Sequence, residues 1–492
     1  MAQSSWSDLY PWQIARDGRE AVFRQVYAQI RAAILARTLA PGAKLPSTRA
    51  LAKRLSIARS SVATAYEQLF AEGFLSGRVG SGTYVSSDLP EPMVVGPARV
   101  DRRPRSTASL ARNSAQAFEF PSADRPFNTA RMLVDARTTE IWRKLTSRTV
   151  RSLSDIHKVY SDPRGLIELR RAICDYARAA RAVRCEPEQI LVTSGSQQAF
   201  DIAIRVLLSP GDKVCVEDPG YPLMYRALAV AGLARLPVPV DAEGMNVGRV
   251  IRSVQAAKAV VVTPSLQYPT SVVLSMQRRL ELLGWARETR AWIIEDDWAS
   301  EYRYSGRPLA SLQGLDDDGR VIYLGTLNKT LFPGLRIGYA VVPHPLVEAF
   351  VATRQLVDRQ PPTLQQVVLA EFMAEGHLAA HIRRMRLIYR GQRDALVNEL
   401  AERAGGYLEV SAPDQGMHLI AHVRNGLSDV EIELAAQPLG IVVRALSRFY
   451  VKARPVPALM LGFCGYPSHQ LIRAATGLAV VTRRQSRMQP RR

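Results

Sequence analysis

The stretch VIYLGTLNKTLFPGLRIGYAVVP, Val321 to Pro343, decides how the chain is read. Val321 to Leu324 is a short apolar run of strand type. Gly325 to Pro333 is a loop of small and polar residues, and Arg336 to Val342 returns to an apolar run. Lys329 therefore lies on a loop at the mouth of a β-layer, seven residues before a second cation, Arg336. A lone loop lysine is ordinarily solvated. The alternative is a Schiff-base lysine with an arginine placed for a phosphate.

Working outward, Ile190 to Thr193, Val214 to Glu217, Ala259 to Thr263 and Trp292 to Glu295 are further short apolar runs. They are separated by helical segments such as Gln197 to Leu208 and Met276 to Thr289. Runs of this kind are what buried parallel strands look like, so an α/β domain with helices on both faces is expected. Ligands of such sheets bind beyond the carboxyl ends of the strands. Ser194-Gly195-Ser196-Gln197 follows one strand and opens a helix, where free N–H groups and hydroxyls can cradle a phosphate. Glu217 to Tyr221 (EDPGY) follows the next and offers a ring to stack on a planar ligand. TPSLQYP, Thr263 to Pro269, brings Tyr268, and Glu295-Asp296-Asp297 ends a fourth strand in carboxylates. Singly, these are a helix cap, a turn and a solvated strand end. Together they match one ligand: a pyridinium nitrogen needs a carboxylate, an aldehyde a lysine, and a phosphate serine, N–H groups and arginine.

At 492 residues the chain exceeds one core, and two or three domains are expected. Lys+Arg of 65 against Asp+Glu of 45 leaves +20, a balance that suits a polyanionic partner such as nucleic acid. The four cysteines, Cys174, Cys185, Cys215 and Cys464, have no metal-knuckle spacing and read as reduced thiols. With no signal-type N-terminus and no apolar run of membrane length, the expectation is a soluble cytoplasmic protein.

Glu20 to Leu39 repeats apolar residues at helical spacing, and Pro41-Gly42 stops it. Ser47 is placed to cap a helix over Thr48 to Leu55, and Ser60 to cap a third through Ala71. Two short strands around a Gly-rich turn follow, up to Val85. Three helices and a hairpin predict a winged helix-turn-helix, which reads double-stranded DNA through its second helix. LAPGAKLPSTRALAKRLSIARSSVATAYEQLFAEGFL and GSGTYV resemble the GntR-type DNA-binding domain. The resemblance implies DNA contacts from Arg49 and Arg59, phosphate or base-edge contacts from Ser60 and Ser61, and Arg78 in the wing. Ala58 stands where the family often has a hydroxyl.

YSDPRGLIELRRAI, VTSGSQQAFDIAIRVLLSPGDKVCVEDPGYP, IIEDDWASEYRY and NKTLFPGLRIGYAVVP resemble a fold-type I, aspartate-aminotransferase-like domain with a mixed, mostly parallel sheet. With the winged helix in front, the chain is similar to MocR-type regulators. The resemblance implies pyridoxal 5'-phosphate as cofactor, held as an internal aldimine on Lys329. Asp296 is implied at the pyridine nitrogen, although Asp297 is the neighbouring candidate. Arg336, Ser196 and Gln197 are implied at the phosphate and Tyr221 against the ring, with Tyr268 among the cofactor-binding residues. A homodimer is implied, and with it a small-molecule effector, either the cofactor itself or an amine or amino acid.

Residues 1–86 are thus expected as the DNA-binding domain, 87–120 as a flexible Pro- and Arg-containing linker, 121–482 as the aminotransferase-like domain and 483–492 as a basic tail. Several positions depart from the family pattern. Trp298 replaces a tyrosine, Asn328 a serine, Leu266 a histidine and Ser271 a glycine. Met460 in LMLGF stands where aminotransferases carry the arginine for the substrate carboxylate, with Arg444 and Arg454 nearby. These departures favour a regulator whose second domain senses a ligand. The alternatives are a working aminotransferase with an accessory DNA-binding domain and a cofactor-free scaffold.

Overall fold

The structure, a computed structural model, describes residues 12–15, 20–78, 82–87, 124–152, 154, 159–252, 257–306 and 309–488. It divides into two compact units, Met1–Ala111 and Arg112–Arg492. The linker expected over residues 87–120 lies, except for Ser87, outside the described residues. No described helix is long and apolar enough to cross a membrane.

In the first unit, helix α1 (Val22–Leu35) buries Val26, Ile30, Ala33 and Ile34 and stops short of the expected Leu39. Strand β1 (Lys44–Leu45) leads to α2 (Thr48–Leu55), whose first turn is capped as expected: Ser47 Oγ accepts the Ala50 N–H at 3.2 Å. Helix α3 (Arg59–Ala71) starts earlier than expected. Ala58, not Ser60, is its N-cap, and it has no side-chain acceptor. The cause is the end of α2. Ser56 turns left-handed (φ 52°) and Ile57 N–H closes back on the Ala52 carbonyl, so only Ile57 and Ala58 remain for the turn. The wing is β2 (Leu75–Arg78) and β3 (Gly82–Val85), and β3 also pairs with β1, giving the order β1-β3-β2. A two-residue strand has no periodicity to read, and β1 was not foreseen.

The second unit holds an eight-stranded sheet. Its strands are β4 (Ile190–Thr193), β5 (Lys213–Asp218), β6 (Ala234–Asp241), β7 (Gly244–Met245), β8 (Ala257–Val262), β9 (Trp292–Asp297), β10 (Val321–Thr326) and β11 (Gly338–Val341). The order is β4-β11-β10-β9-β8-β5-β6-β7. All neighbours are parallel except that β11 runs against both β4 and β10, and β7 against β6. Ile337 to Val342 is therefore not one of the parallel strands. The residues between β10 and β11 carry only a 3-10 turn, too little for the crossover that a parallel return needs. The mixed, mostly parallel sheet is the one the family resemblance implied.

Beyond it lies a four-stranded antiparallel sheet that the sequence reading did not separate. It consists of β12 (Leu408–Val410), β13 (His418–Val423), β14 (Arg444–Ala445) and β15 (Ala458–Gly462), in the order β12-β13-β15-β14. Helices His377–Ala404 and Ser468–Met488 pack with it. The last helix corrects the expected tail at 483–492. It buries Leu471, Ala475, Leu478 and Val481 and then continues as a solvated turn through Arg487, where no apolar spacing marks it. Residues 489–492 lie outside the described residues.

The reversed β11 brings Gly338 between Thr326 at the end of β10 and Thr193 at the end of β4. A Cβ there would lie 2.7 Å from the Gly195 carbonyl carbon and 2.9 Å from the Ser196 nitrogen, backbone atoms that cannot swing aside. Gly338→Ala is expected to destabilise the second unit by about 1–3 kcal/mol through overpacking. An unchanged urea midpoint for that unit would show that the Gly195 turn yields freely.

Candidate functional site

Lys329 follows the end of β10 on a loop held from several sides. Asn328 Oδ1 accepts the Ile337 N–H at 3.0 Å across the loop, and Tyr302 donates to the Thr330 carbonyl at 2.9 Å. Asn328, in place of the family's serine, thus spans the loop it sits on. Lys329 is half-buried, with Nζ 3.5 Å from the Thr129 carbonyl. Burial, and then the positive charge of Arg444, lower its pKa to about 8. A lysine that sheds its proton this close to neutrality is a nucleophile for carbonyl carbon.

Five carboxyls are buried at the ends of β5 and β9, and Asp218 among them accepts the Val451, Lys452 and Ala453 N–H groups. Glu217 accepts from Thr263 N and Oγ1, and Glu295 from the Leu312 and Gln313 N–H groups at 2.9 Å. Asp297 Oδ2 takes Arg181 Nε at 2.5 Å and the Tyr323 hydroxyl at 2.7 Å. Asp296 Oδ1 is buried with no hydrogen-bond partner. Burial, together with the negative charges of Asp297, Glu217 and Glu295, pushes the Asp296 pKa up to about 8. Successive residues of a strand face opposite sides, so Asp297 is spent on one face and Asp296 is left on the other. A buried acceptor without a donor is what a pyridine N–H would complete. Asp297 Oδ1 is also without a partner, but Asp297 is held through Oδ2 by Arg181 and Tyr323, and Asp296 has no such partner among the described residues.

At the other end of the pocket, Gly195 (φ 97°) caps helix Ser196–Leu207. The first N–H groups of a helix have no acceptor within it. Arg336, itself left-handed (φ 53°), donates through Nη2 to the Ser194 carbonyl. A Cβ on Gly195 would meet Arg336 Nη2 at 3.0 Å and Asn328 Nδ2 at 2.8 Å, so the glycine keeps this cradle open. Ser196 and Gln197 are the first two residues of the helix. Gln197 also borders a surface cleft with Asp201 and Arg205.

Tyr221 and Tyr268 belong to a cluster of edge-on aromatics. Tyr268 lies 5.4 Å from Tyr221, 5.4 Å from Trp298 and 5.7 Å from Phe449. Trp298 is not available to a ligand oxygen: its Nε1–H is donated to the Leu266 carbonyl at 2.8 Å, and its ring stacks on His418. His418 was missed by sequence reasoning, because a lone histidine in an apolar strand carries no motif. Its Nε2 lies 2.8 Å from the Pro269 carbonyl and 3.1 Å from Ser271 Oγ, and burial lowers its pKa to about 4, so it is neutral. Met460 is fully buried among Leu446, Phe449 and Ala458. Directly across from it on β14 is Arg444, whose charge acts on Lys329, Tyr221 and Tyr268. Arg454 is exposed.

In the first unit, Arg49, Arg59 and Ser60 are exposed and Ser61 is half-buried. Arg59 Nε donates to Thr48 Oγ1 at 3.4 Å, joining the first turns of α2 and α3. Arg78 ends β2 in the wing.

The fold and site define a class: a DNA-binding winged helix joined to an aminotransferase-type domain, a fold whose enzymes depend on pyridoxal phosphate. Residues 23–85 match the bacterial regulatory proteins of the gntR family, and residues 128–475 match aminotransferase class I and II. The probable rhizopine catabolism regulatory protein MocR of Rhizobium meliloti is 38% identical over 457 residues, 92% of this chain and 91% of that protein. The pyridoxine biosynthesis transcriptional regulator PdxR of Corynebacterium glutamicum is 32% identical over 441 residues, 89% of this chain and 91% of its own. A solved kynurenine aminotransferase of Pyrococcus horikoshii superposes with a TM-score of 0.68 at 27% identity, over 78% of this chain and 94% of that one. The chain belongs to the MocR-type regulators, GntR-family DNA-binding proteins that carry an aminotransferase-like domain.

Asp296 yields a pH prediction. Its folded pKa, about 8, lies above the ordinary 3.8, so between these values the folded state holds a proton that the unfolded state has lost. Its contribution to stability therefore falls as pH rises through that window. Asp296→Asn removes the titration and should flatten the decline, by up to about 1.4 kcal/mol per pH unit. Urea unfolding without cofactor at a series of pH values measures this, and parallel wild-type and variant curves would mean Asp296 is not perturbed.

Proposed function

We propose that the chain is a transcription regulator that binds pyridoxal phosphate in its second unit and reports the arrival of an amine there to the DNA-binding unit. The observation that carries the reading is an orphaned buried carboxyl, Asp296 Oδ1, and a lysine of lowered pKa, Lys329, at the carboxyl edge of neighbouring parallel strands. When bound, pyridoxal phosphate supplies an aldehyde that a primary amine can take up reversibly. Lys329 is the resident amine, Asp296 fixes the ring nitrogen, and Arg336 with the N–H groups of Ser196 and Gln197 holds the phosphate. Tyr221 and Tyr268 wall the ring. Arg444 lends the pocket a positive charge opposite Met460, which points to an effector amine bearing a carboxylate. Operator DNA is met by Arg49, Arg59, Ser60 and Ser61, with Arg78 in the wing. A homodimer would present two winged helices to two half-sites, in the cytoplasm where such DNA lies. Aminotransferase turnover is the weaker reading, because Met460 leaves the usual carboxylate position apolar.

The test is operator binding of the full chain with and without candidate amino acids. Reciprocity requires that an effector which changes DNA affinity by some factor has its own affinity changed by DNA by the same factor. Lys329→Ala should lose the visible absorption of the lysine-bound cofactor and the amino-acid response, yet still bind operator. A variant that keeps the wild-type spectrum would sink the reading, and efficient transamination by the wild type would favour an enzyme instead.

Arg59→Ala should weaken operator binding by about 1–3 kcal/mol and relax the preference at one base if the guanidinium reads a guanine. Affinity and sequence preference both unchanged would remove Arg59 from the DNA surface.

A further inference from the structure

A second cavity, of about 240 Å³, lies on the Asp297 face of β9. Three arginines line it: Arg181 from the end of helix Ile167–Arg181, Arg303 from the segment after β9, and Arg386 from helix His377–Ala404. Ser300, Ser265 and Gln415 complete its polar wall, and no carboxylate lines it among the described residues.

Only Arg181 has its charge answered, by Asp297. Arg303 donates through Nη1 to the side-chain carbonyl of Gln415 at 2.9 Å, and Arg386 through Nη2 to the Glu301 carbonyl at 2.8 Å, both neutral acceptors. Neither arginine takes part in an ion pair among the described residues. Arg303 Nε, Arg386 Nε and Ser300 Oγ are buried without a partner. The adjacent acid, Glu301, does not line the cavity. Its Oε1 accepts from the Tyr176 hydroxyl at 2.7 Å, its Oε2 is buried without a partner, and burial with the charge of Asp297 raises its pKa to about 7. Two guanidinium charges with buried, unused N–H groups beside a third are costly unless an anion joins them.

We propose that this cavity is a binding site for a small oxyanion of two negative charges, a phosphate monoester or a dicarboxylate, held by Arg303 and Arg386 with Ser300. Two open guanidinium charges match a dianion, and planar forks suit both oxyanion types. The site is separate from the Lys329 pocket but linked to it. Arg181 Nη2 donates to Ser265 Oγ at 2.6 Å, and Gln415, which receives Arg303, donates to the Ser265 carbonyl at 2.5 Å. Ser265 begins the turn that carries Tyr268, so an occupant bears on the support of the aromatic wall.

The experiment is calorimetric titration of the full-length protein with inorganic phosphate, then succinate and acetate. Phosphate or succinate should bind at least tenfold more tightly than acetate. Arg303→Gln and Arg386→Gln should each weaken that binding at least tenfold, while Arg336→Gln retains it, which separates this cavity from the cofactor's phosphate cradle. Ala179→Glu keeps every arginine and puts a carboxylate at the exposed rim of the cavity. It should raise the Tm in phosphate-free buffer and abolish the Tm response to phosphate, a readout that does not depend on arginine variants folding. No dianion binding by the wild type, acetate bound as tightly as the dianions, or binding lost with Arg336→Gln and kept by the cavity variants would each overturn the proposal.

Discussion

One strand running the wrong way organises the pocket. β11 pairs antiparallel with both β10 and β4, so the start of β11 lies beside the ends of its two neighbours. The loop before it therefore has to turn back over the carboxyl edge of the sheet, where ligands of parallel sheets bind. That loop carries Lys329 near one end and Arg336 near the other. The reversal places Arg336 against Ser194, at the start of helix Ser196–Leu207. A parallel β11 would have needed a crossover and would have carried Arg336 to the opposite edge. Gly338 and Gly195 follow from the same constraint, since two backbones meet where any Cβ would clash.

The second ordering principle is the cost of burying carboxyls. Glu217, Glu295 and Asp297 each have protein donors. Asp297 also has a full counter-charge in Arg181, within a polar arrangement that includes Tyr323. Asp296 receives the repulsion of all three and none of the donors. Asp297 Oδ1 and Glu301 Oε2 are also buried without a partner, but each of those carboxyls is held through its other oxygen, and a buried carboxyl with no donor at all suits a ligand's proton. Under the proposed function, the Arg181 ion pair of Asp297 favours Asp296 as the ring-nitrogen partner, a choice that spacing alone left open.

How much of this was legible depended on pattern length. Ile190–Thr193 and Met276–Thr289 were found to the residue, because an apolar run bounded by Thr-Ser-Gly and a Ser-capped helix are local signals. The residues at the strand ends were legible for the same reason. β6 was not, because Pro237 and Pro239 break the strand signal, and a strand beside the short edge strand β7 tolerates the missing donors. His418 was not either, and Arg444 was legible only as one of two arginines near Met460. Both sit on a small sheet whose strands are two to six residues long, and they come near the pocket only through tertiary packing. In the first unit, Ser60 looked like a cap because serine favours that role. The left-handed Ser56 shortened the turn and gave the position to Ala58.

The exchange of anchor positions bears on sensing against catalysis. In this chain the place of the usual carboxylate arginine is Met460, packed into an apolar cluster, and the positive charge comes from the adjacent strand through Arg444. Moving a cation from one strand to its neighbour keeps an electrostatic attraction for a carboxylate, which falls off only slowly with distance. It does not by itself fix the orientation of the amine end of the same ligand. Chemistry requires that orientation, because a misplacement of about 1 Å can cost a hundredfold in rate. Binding alone does not. A ligand that is held, and whose amine displaces the resident lysine without being aligned for the later proton transfers, can shift the balance between two arrangements of a protein, which requires only that it favour one of them. Under the proposed function, a cation at Arg444 rather than at position 460 would relax a requirement of an enzyme while sparing the requirement of a sensor.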